Sequence, residues 1–219
     1  MSSARADIVQ RLGAAGVVAV LRAESADELA DIANALLDGG VSAIEVTTTT
    51  PNAVSGIAQL RELFGDRALL GVGTVLDPKT AHDAIAAGAR FVVSPTCDAQ
   101  VIKATHAANC ASIPGAFTPS EILSAHRGGA DVVKVFPSTA LGPGYFKDIL
   151  APLPFLKLMP TGGVDATNAG AWIKAGAVCV GAGSALVPRD AVRAGDWRRI
   201  TNLAEQFTAA VRTARSESK

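Results

Sequence analysis

The chain repeats one pattern along its length: a short apolar run, then small or polar residues, then an amphipathic stretch rich in alanine. Short apolar runs bounded by turn residues are typical of buried parallel strands, and the stretches between them have helical spacing. Eight strands are predicted, at 17–21, 43–46, 69–71, 91–93, 111–113, 132–135, 156–159 and 178–180. Eight helices are predicted near 25–38, 52–64, 78–87, 98–108, 119–128, 144–151, 167–175 and 198–213.

Eight strands that alternate with eight helices predict an α/β fold in which a parallel sheet closes into a (β/α)₈ barrel of the TIM type. A further helix is predicted at the N-terminus, in MSSARADIVQRL. One glycine turn recurs before the fourth, sixth and eighth strands, in AAGARFVV, RGGADVVK and KAGAVCV. The alternative, an open doubly wound sheet, usually has a glycine fingerprint after its first strand, and this chain has Arg-Ala-Glu-Ser there. Because no segment resembles a linker, residues 1–219 are predicted to form a single barrel domain.

Composition narrows the classes of function. Lys plus Arg and Asp plus Glu are equal at 20 each, and the short C-terminal tail alone is locally rich in arginine. No field that would attract nucleic acid or an anionic membrane is therefore expected. The cysteines, Cys97, Cys110 and Cys179, are dispersed and odd in number, which favours reduced thiols in a cytoplasmic protein. No signal peptide is recognised, and no apolar run approaches the length that spans a membrane.

Functional groups in such barrels lie at the carboxyl ends of the strands. The candidate residues there are Arg22, Glu45, Thr74, Lys134, Thr161, Gly162, Gly163, Gly183 and Ser184. The histidines fall in predicted helices instead, where His82, His106 and His126 are expected to be solvated. Since no His, Asp or Glu cluster has metal-ligand spacing, no metal is predicted.

Lys134 interrupts an otherwise apolar strand, in Ala-Asp-Val-Val-Lys-Val-Phe-Pro. Burial there disfavours the ammonium and favours the neutral amine, which can form an imine with a carbonyl substrate. Glu45 likewise stands where an apolar residue would fit, and it could pair with the lysine or move protons in acid–base catalysis. The structural alternative is that Lys134 only forms a buried ion pair.

Two glycine clusters follow the last two predicted strands, in Pro-Thr-Gly-Gly-Val-Asp and Val-Gly-Ala-Gly-Ser-Ala-Leu. Barrels commonly bind phosphate in these two loops, through backbone N–H groups and hydroxyls, so a phosphate site is predicted, although the glycines could also serve as tight turns. Thr74, in a Gly-x-Gly-Thr turn, and Arg22 are candidates for binding a carboxylate. An arginine at a strand end could equally form a surface ion pair.

These segments resemble a known family, the bacterial 2-keto-3-deoxy-6-phosphogluconate and 2-keto-3-deoxy-6-phosphogalactonate aldolases, which also include 4-hydroxy-2-oxoglutarate aldolase activity. The resemblance runs in order through AVLR, GVSAIEVTTTTP, GVGTVLDP, FVVSP, IPGAFTPSE, GADVVKVFPS, MPTGGV and GAGSALV. It implies a class I lyase of carbohydrate metabolism, of the Entner–Doudoroff type. The reaction implied is cleavage of a phosphorylated 2-keto-3-deoxy sugar acid to pyruvate and glyceraldehyde 3-phosphate, in a cytoplasmic homotrimer.

The resemblance also implies residue roles. Lys134 would form the Schiff base, so that no separate cofactor is needed, and Glu45 would transfer protons. Arg22 and Thr74 would contact the keto-acid end of the substrate. Thr161 would bind substrate as well. The phosphate would be held by Gly162, Gly163, Gly183 and Ser184.

One position departs from the family pattern. Many gluconate-type members have an arginine four residues after the glutamate, in Glu-Val-Thr-x-Arg-Thr-Pro, and this chain has Thr49 there. Galactonate-type members lack that arginine and carry a segment similar to FPSTALGPGY of this chain. The pattern favours the galactonate branch or a relative of broad specificity. The alternatives that stay open are a barrel phosphosugar isomerase, epimerase or decarboxylase, and a non-catalytic phosphate-ligand binder.

Overall fold

The computed structural model describes residues 2–25 and 28–217. Its strands are β1 Val17–Leu21, β2 Ala43–Thr47, β3 Leu69–Gly73, β4 Phe91–Val93, β5 Ala111–Ile113, β6 Gly115–Ala116, β7 Val133–Val135, β8 Leu158–Pro160 and β9 Val180–Ala182. Its helices are α1 Ser3–Ala15, α2 Glu28–Asp38, α3 Ala53–Phe64, α4 Pro78–Ala86, α5 Ala99–Ala107, α6 Pro119–Arg127, α7 Pro143–Leu150, α8 Ala169–Lys174, α9 Arg189–Ala194 and α10 Trp197–Ser216.

The strands pair in parallel and mostly in chain order. One sheet has the order β5-β4-β3-β2-β1-β9, and a second has the order β6-β7-β8. Only Pro114 separates β5 from β6 along the chain. The two sheets meet again at a parallel bridge between Thr161 and Gly181, where the N–H of Val178 also donates to the carbonyl of Leu158 at 3.0 Å. The architecture is an α/β fold with a curled parallel sheet.

The predicted alternation of strands and helices is confirmed, with differences at the ends of elements. The last strand was predicted at 178–180 but is Val180–Ala182, because its pairing with β1 continues through Gly181 and Ala182. An apolar pattern does not reveal such a strand of small residues. The short helix α9 was not predicted, since six residues with one buried side chain, Ala191, leave no amphipathic signal.

Side chains alternate between the two faces of the curled sheet. One apolar cluster packs the outer face of the strands against the helices, and a second lies on the inner face. Helix α1 contributes Ile8, Val9 and Leu12 to the inner cluster, so it covers the end of the sheet where the strands begin. The predicted N-terminal helix is thus confirmed. None of the described helices is long and apolar enough to cross a bilayer.

The recurrent turn predicted before three strands is present. Gly88, Gly129 and Gly176 each follow a helix and adopt positive φ, at 119°, 104° and 101°. Each turn leads into the next strand with a hydrogen bond from the following alanine back into the helix. A residue with a Cβ is strained at such φ values, which explains why glycine recurs there.

The prediction that the three histidines are solvated was wrong for two of them. His82 is exposed, with 81% of its side chain accessible. His106 is 21% exposed, and its Nε2 lies 3.1 Å from Asp131, a buried carboxylate that also binds Arg5. His126 packs its ring against Phe155. The buried carboxylate at the start of β7 needs polar partners, and α5 supplies one of them.

Candidate active site

Lys134 lies in β7, between Gly115 of β6 and Met159 of β8. Its neighbours Val133 and Val135 belong to the outer cluster, so Lys134 points to the inner face of the curled sheet. The residue is 5% exposed. Its Nζ lies 5.0 Å from the centroid of the Phe136 ring, within the range of a cation–π contact. The strand therefore presents an amine inside an otherwise apolar wall.

Glu45 lies in β2 and points to the same inner face, since Ile44 and Val46 belong to the outer cluster. It is fully buried, and neither carboxylate oxygen has a hydrogen-bond partner among the described residues. Burial raises the pKa of Glu45, while the charges of Lys134 and Arg22 partly oppose that rise. The three groups thus act on one another electrostatically, without forming a close ion pair in the described chain.

Gly73 makes the space that Glu45 occupies. A Cβ at Gly73 would lie 1.8 Å from the Oε1 atom of Glu45, and a Cβ at Gly71 would lie 2.3 Å from the Phe91 ring. The Gly-x-Gly-Thr segment was interpreted from sequence as a turn that offers hydrogen-bond donors. The structure adds a second reason for its glycines, because both leave room for a side chain on the inner face.

Thr74 follows β3 and adopts a left-handed backbone, with φ of 61°. This conformation costs a non-glycine residue about 1 kcal/mol or more. Two hydrogen bonds from Thr48 hold the turn: its N–H donates to the carbonyl of Gly73 at 2.9 Å, and its Oγ1 donates to the carbonyl of Thr74 at 3.0 Å. The strained turn therefore fixes the Thr74 side chain at the end of the strand.

Hydrogen bonds hold the threonines at the end of β2 in place. Thr49 is exposed, and its Oγ1 shares a hydrogen bond of 2.8 Å with the Oγ1 of Thr47. Thr47 in turn donates to the carbonyl of Leu21 at 2.9 Å, at the end of β1. Thr49 occupies the position at which the family pattern often has an arginine. Its short side chain is hydrogen-bonded within its own loop.

The two glycine-rich loops lie side by side. Gly162 and Gly163 follow β8 with φ of 92° and 72°, and Gly183 and Ser184 follow β9. The Thr161–Gly181 bridge joins the strands that precede the loops. The N–H groups of Gly183 and Ser184 donate no hydrogen bond to another described residue. Backbone donors and one exposed hydroxyl are therefore available at this edge.

Thr161 is 7% exposed, and its Oγ1 has no hydrogen-bond partner among the described residues. A Cβ at Gly181 would lie 2.4 Å from that Oγ1, so the glycine provides the space for it. All the predicted site residues lie in or directly after the strands, and burial decreases from Glu45 and Lys134 towards the exposed Arg22 and Ser184. Nowhere in residues 2–25 and 28–217 do three His, Cys, Asp or Glu side chains gather in a metal-binding group.

Two residues that the sequence places at strand ends, Phe136 and Thr47, were given no role; the structure puts the Phe136 ring beneath the Lys134 amine and the Thr47 hydroxyl on the carbonyl of Leu21. Phe136 carried a signal, since it lies two residues from Lys134 on the same strand face. For Thr47 the signal was one polar residue at the end of a strand whose other residues are mostly apolar.

The curled α/β sheet thus carries a buried amine, Lys134, and a buried carboxylate, Glu45, on its inner face. Residues 8–203 match the family described as "Aldolase: KDPG and KHG aldolase". The chain is 34% identical to the 2-dehydro-3-deoxy-6-phosphogalactonate aldolase of Escherichia coli K12 over 200 residues, which cover 91% of this chain and 94% of that protein. It is 36% identical to the 2-dehydro-3-deoxy-phosphogluconate aldolase of Treponema pallidum, with coverage of 91% and 95%.

The fold agrees with these relatives. The KDPG aldolase of Legionella pneumophila, solved with pyruvate captured at low pH as a covalent carbinolamine intermediate, superposes with a TM-score of 0.85. The two chains are 33% identical, and the match covers 91% of this chain and 97% of that one. The chain therefore belongs to the KDPG and KHG aldolase family and is an aldolase, a carbon–carbon lyase, which confirms the resemblance found in its sequence.

Proposed function

We propose that this chain is a class I aldolase that cleaves a phosphorylated 2-keto-3-deoxy sugar acid to pyruvate and glyceraldehyde 3-phosphate, with Lys134 as the Schiff-base residue. The observation that carries the proposal is the pair of buried groups, Lys134 and Glu45, on one inner face. Buried polar atoms in folded proteins almost always have partners. The unpartnered oxygens of Glu45 therefore support a role for them towards substrate or water.

The reaction begins at the amine. Neutral Lys134 Nζ attacks the C2 carbonyl and forms a carbinolamine, which loses water to give an iminium. Glu45, through a water molecule, accepts the proton of the C4 hydroxyl as the C3–C4 bond breaks. The electron pair of that bond moves into the iminium, so the aldehyde phosphate leaves and an enamine of pyruvate remains. Protonation at C3 and hydrolysis of the imine then release pyruvate and the free amine.

The raised pKa of Glu45 suits this exchange. A carboxyl group whose pKa is raised by burial holds a proton more readily at neutral pH and can return it to the enamine. The charge of Lys134 lowers the pKa of Glu45 in the free enzyme. Lys134 gives up a proton before it attacks, and the iminium that then forms restores a positive charge at the same nitrogen, so the carboxylate has a cationic neighbour during the bond-breaking step.

The two ends of the substrate have different partners. The phosphate is assigned to the loops with Gly162, Gly163, Gly183 and Ser184, because positive φ and free N–H groups allow backbone donors to reach its oxygens. Arg22 and Thr74 are assigned to the keto-acid carboxylate. Since Thr49 replaces an arginine common in gluconate-type relatives, Arg22 is the cation that remains for this task. Thr161 is assigned to substrate binding through its unpartnered Oγ1.

Three broader features are part of the proposal. The bridge between β8 and β9 and the continuity of β5 with β6 support a sheet that closes into an eight-stranded barrel. A homotrimer and a cytoplasmic location stay predictions from the family resemblance. Sedimentation of the purified protein tests the trimer, for which a mass three times that of the 22.2 kDa chain is expected.

Pyruvate release, coupled to lactate dehydrogenase, tests the function. The gluconate substrate, the galactonate substrate and unphosphorylated 4-hydroxy-2-oxoglutarate are assayed in parallel, and the highest kcat/KM is expected for a phosphorylated sugar acid. The family description also covers KHG aldolases, so cleavage of 4-hydroxy-2-oxoglutarate is the second candidate. The Thr49→Arg variant should shift the ratio towards the gluconate substrate. A protein that binds these ligands but releases no pyruvate from any of them would contradict the proposal.

A further inference from the structure

A groove lies on the face of the protein opposite the candidate active site. Its volume is about 560 Å³, and it opens between the last turn of α1, the start of β2 and helix α10. Ala14 and Ala15 precede β1, and Gly40 and Ser42 precede β2, so the groove lies where the strands begin. The residues assigned to catalysis and to phosphate binding lie where the strands end. Nothing in the proposed reaction uses this face.

The groove is lined by three arginines and no acidic residue. Arg11 comes from α1, and Arg212 and Arg215 come from successive turns of α10. Ser42 adds a hydroxyl group, and Thr208 of α10, whose hydroxyl donates to backbone carbonyls, also lines the groove. In a chain whose formal net charge is zero, three guanidinium groups in one concave site are a strong local charge excess.

A second, smaller cavity of about 130 Å³ extends the positive charge. It shares Arg11 with the groove and adds Arg61 and Arg90. Asp66 is the one acidic residue that lines it, and its carboxylate is bound by Arg61 at 2.9 Å. The hydrogen bond from Arg61 holds the pKa of Asp66 below its usual range, with smaller contributions from Arg11 and Arg90. One carboxylate therefore faces five arginines across the two cavities.

Two of the three arginines in the groove are held by neutral backbone carbonyls, so their charge stays available. Arg215 donates to the carbonyls of Gly13 and Ala14, at the end of α1, and to that of Val178 at 3.4 Å. Arg11 donates to the backbone carbonyl of Asp66 at 3.2 Å. Arg212 is exposed and forms no hydrogen bond or ion pair with any described residue. Two guanidinium groups are thus pre-positioned, which lowers the entropy lost when an anion binds.

We propose that this groove binds a multiply charged organic phosphate of nucleotide size. Its volume lies within the range of small-molecule sites and exceeds what a single phosphate would fill. The arginines supply charge-assisted donors for phosphate oxygens. Ala14, Ala15 and Val211 form an apolar wall against which a ring can pack. Charge and apolar surface together favour a phosphate with an organic body over inorganic phosphate.

Titration calorimetry with ADP, inorganic pyrophosphate and inorganic phosphate tests the site. The main variant is Arg212→Gln, which removes one charge without breaking a contact within the described chain. Its matched control is Arg127→Gln, an exposed arginine without a described partner in the last turn of α6. ADP is expected to bind more tightly than inorganic phosphate. The dissociation constant for ADP should rise about tenfold in the Arg212 variant, by loss of a charge-assisted hydrogen bond, and stay unchanged in the control.

Hydrogen exchange locates the ligand and separates this site from the candidate active site. Bound ADP should protect amides in residues 8–16 and 205–216, the segments of α1 and α10 that contribute residues to the groove. Protection confined to residues 160–164 and 182–187 would place ADP in the glycine loops and overturn the inference. Equal binding of ADP and inorganic phosphate, equal affinity of the Arg212 variant and the parent, or absence of ADP binding at millimolar concentration would overturn it as well. Each of these results is independent of whether the chain cleaves a keto acid.

Discussion

Replacement of Gly73 by alanine tests whether the position of Glu45 matters as described. The added Cβ would lie 1.8 Å from Oε1, 2.5 Å from Cδ and 2.7 Å from Cγ of Glu45. No side chain tolerates such contacts, so the carboxylate must move away from its place. A general acid–base group contributes roughly 10²–10⁴-fold to a rate. We therefore expect Gly73→Ala to lower kcat at least about 100-fold, and overpacking to cost about 1–3 kcal/mol of stability.

Gly71→Ala is the matched control. It adds the same methyl group to the same strand, and the new Cβ would lie 2.3 Å from the ring of Phe91 and away from the carboxylate. This variant should lose stability by a similar amount and keep most of its kcat. Pyruvate release under saturating substrate measures kcat, and urea unfolding followed by circular dichroism measures stability.

A double-mutant cycle isolates the contact itself. In a Glu45→Ala background the space beside Gly73 is empty, so Gly73→Ala should then cost less than about 0.5 kcal/mol. It should also cause no further loss of activity, because the group it displaces is already gone. Equal destabilisation in both backgrounds, or equal kcat losses for Gly73→Ala and Gly71→Ala, would refute the reasoning.

Three further predictions concern buried groups. Burial raises the pKa of Glu45 from 4.5, so the stability that its protonated form contributes is complete below that value and is lost as pH rises through the folded pKa. The Glu45→Gln variant should therefore become increasingly stable relative to the parent as pH rises. A constant difference in the free energy of urea unfolding from pH 4 to 8 would count against this. Burial raises the pKa of Cys179 to about 12, so iodoacetamide at pH 8 should modify exposed Cys97 first, and equal labelling of both in peptide mass spectra would contradict the buried position. Asp131→Ala leaves the half-buried Arg5 without its partner at 3.1 Å and should lower the free energy of unfolding by about 3 kcal/mol, whereas a change below about 1 kcal/mol would show that the pair contributes little.

The sequence was informative where a residue contradicts its surroundings. Lys134 and Glu45 each stand in a strand of apolar residues, and a polar side chain in a buried strand is visible without a structure. The order of elements was equally visible, because turn residues separate the apolar runs. These local signals do not show which strand pairs with which. The end of β9 depends on its pairing with β1, and it was therefore predicted two residues too early.

Contacts between distant segments account for the rest. The space that Gly73 leaves for Glu45 lies between two neighbouring strands, β3 and β2. The segment Gly-Val-Gly-Thr alone does not show that this space is needed. The arginine groove brings Arg11 beside Arg212 and Arg215, about 200 residues further along the chain. In the sequence, Arg212 and Arg215 belong to an arginine-rich tail with no predicted function. The charge density along a sequence does not show which distant segments pack together in the fold.

The most direct test of the central claim is reductive trapping on Lys134. The protein is incubated with pyruvate and borohydride, digested and mapped by mass spectrometry, with Lys134→Arg as the control. An adduct on the peptide that contains Lys134, loss of activity in step with its formation, and no trapping in the control are the predicted results. Recovery of that peptide unmodified with full activity, or an adduct on an exposed lysine such as Lys147 or Lys157 that forms equally in the control, would contradict the account.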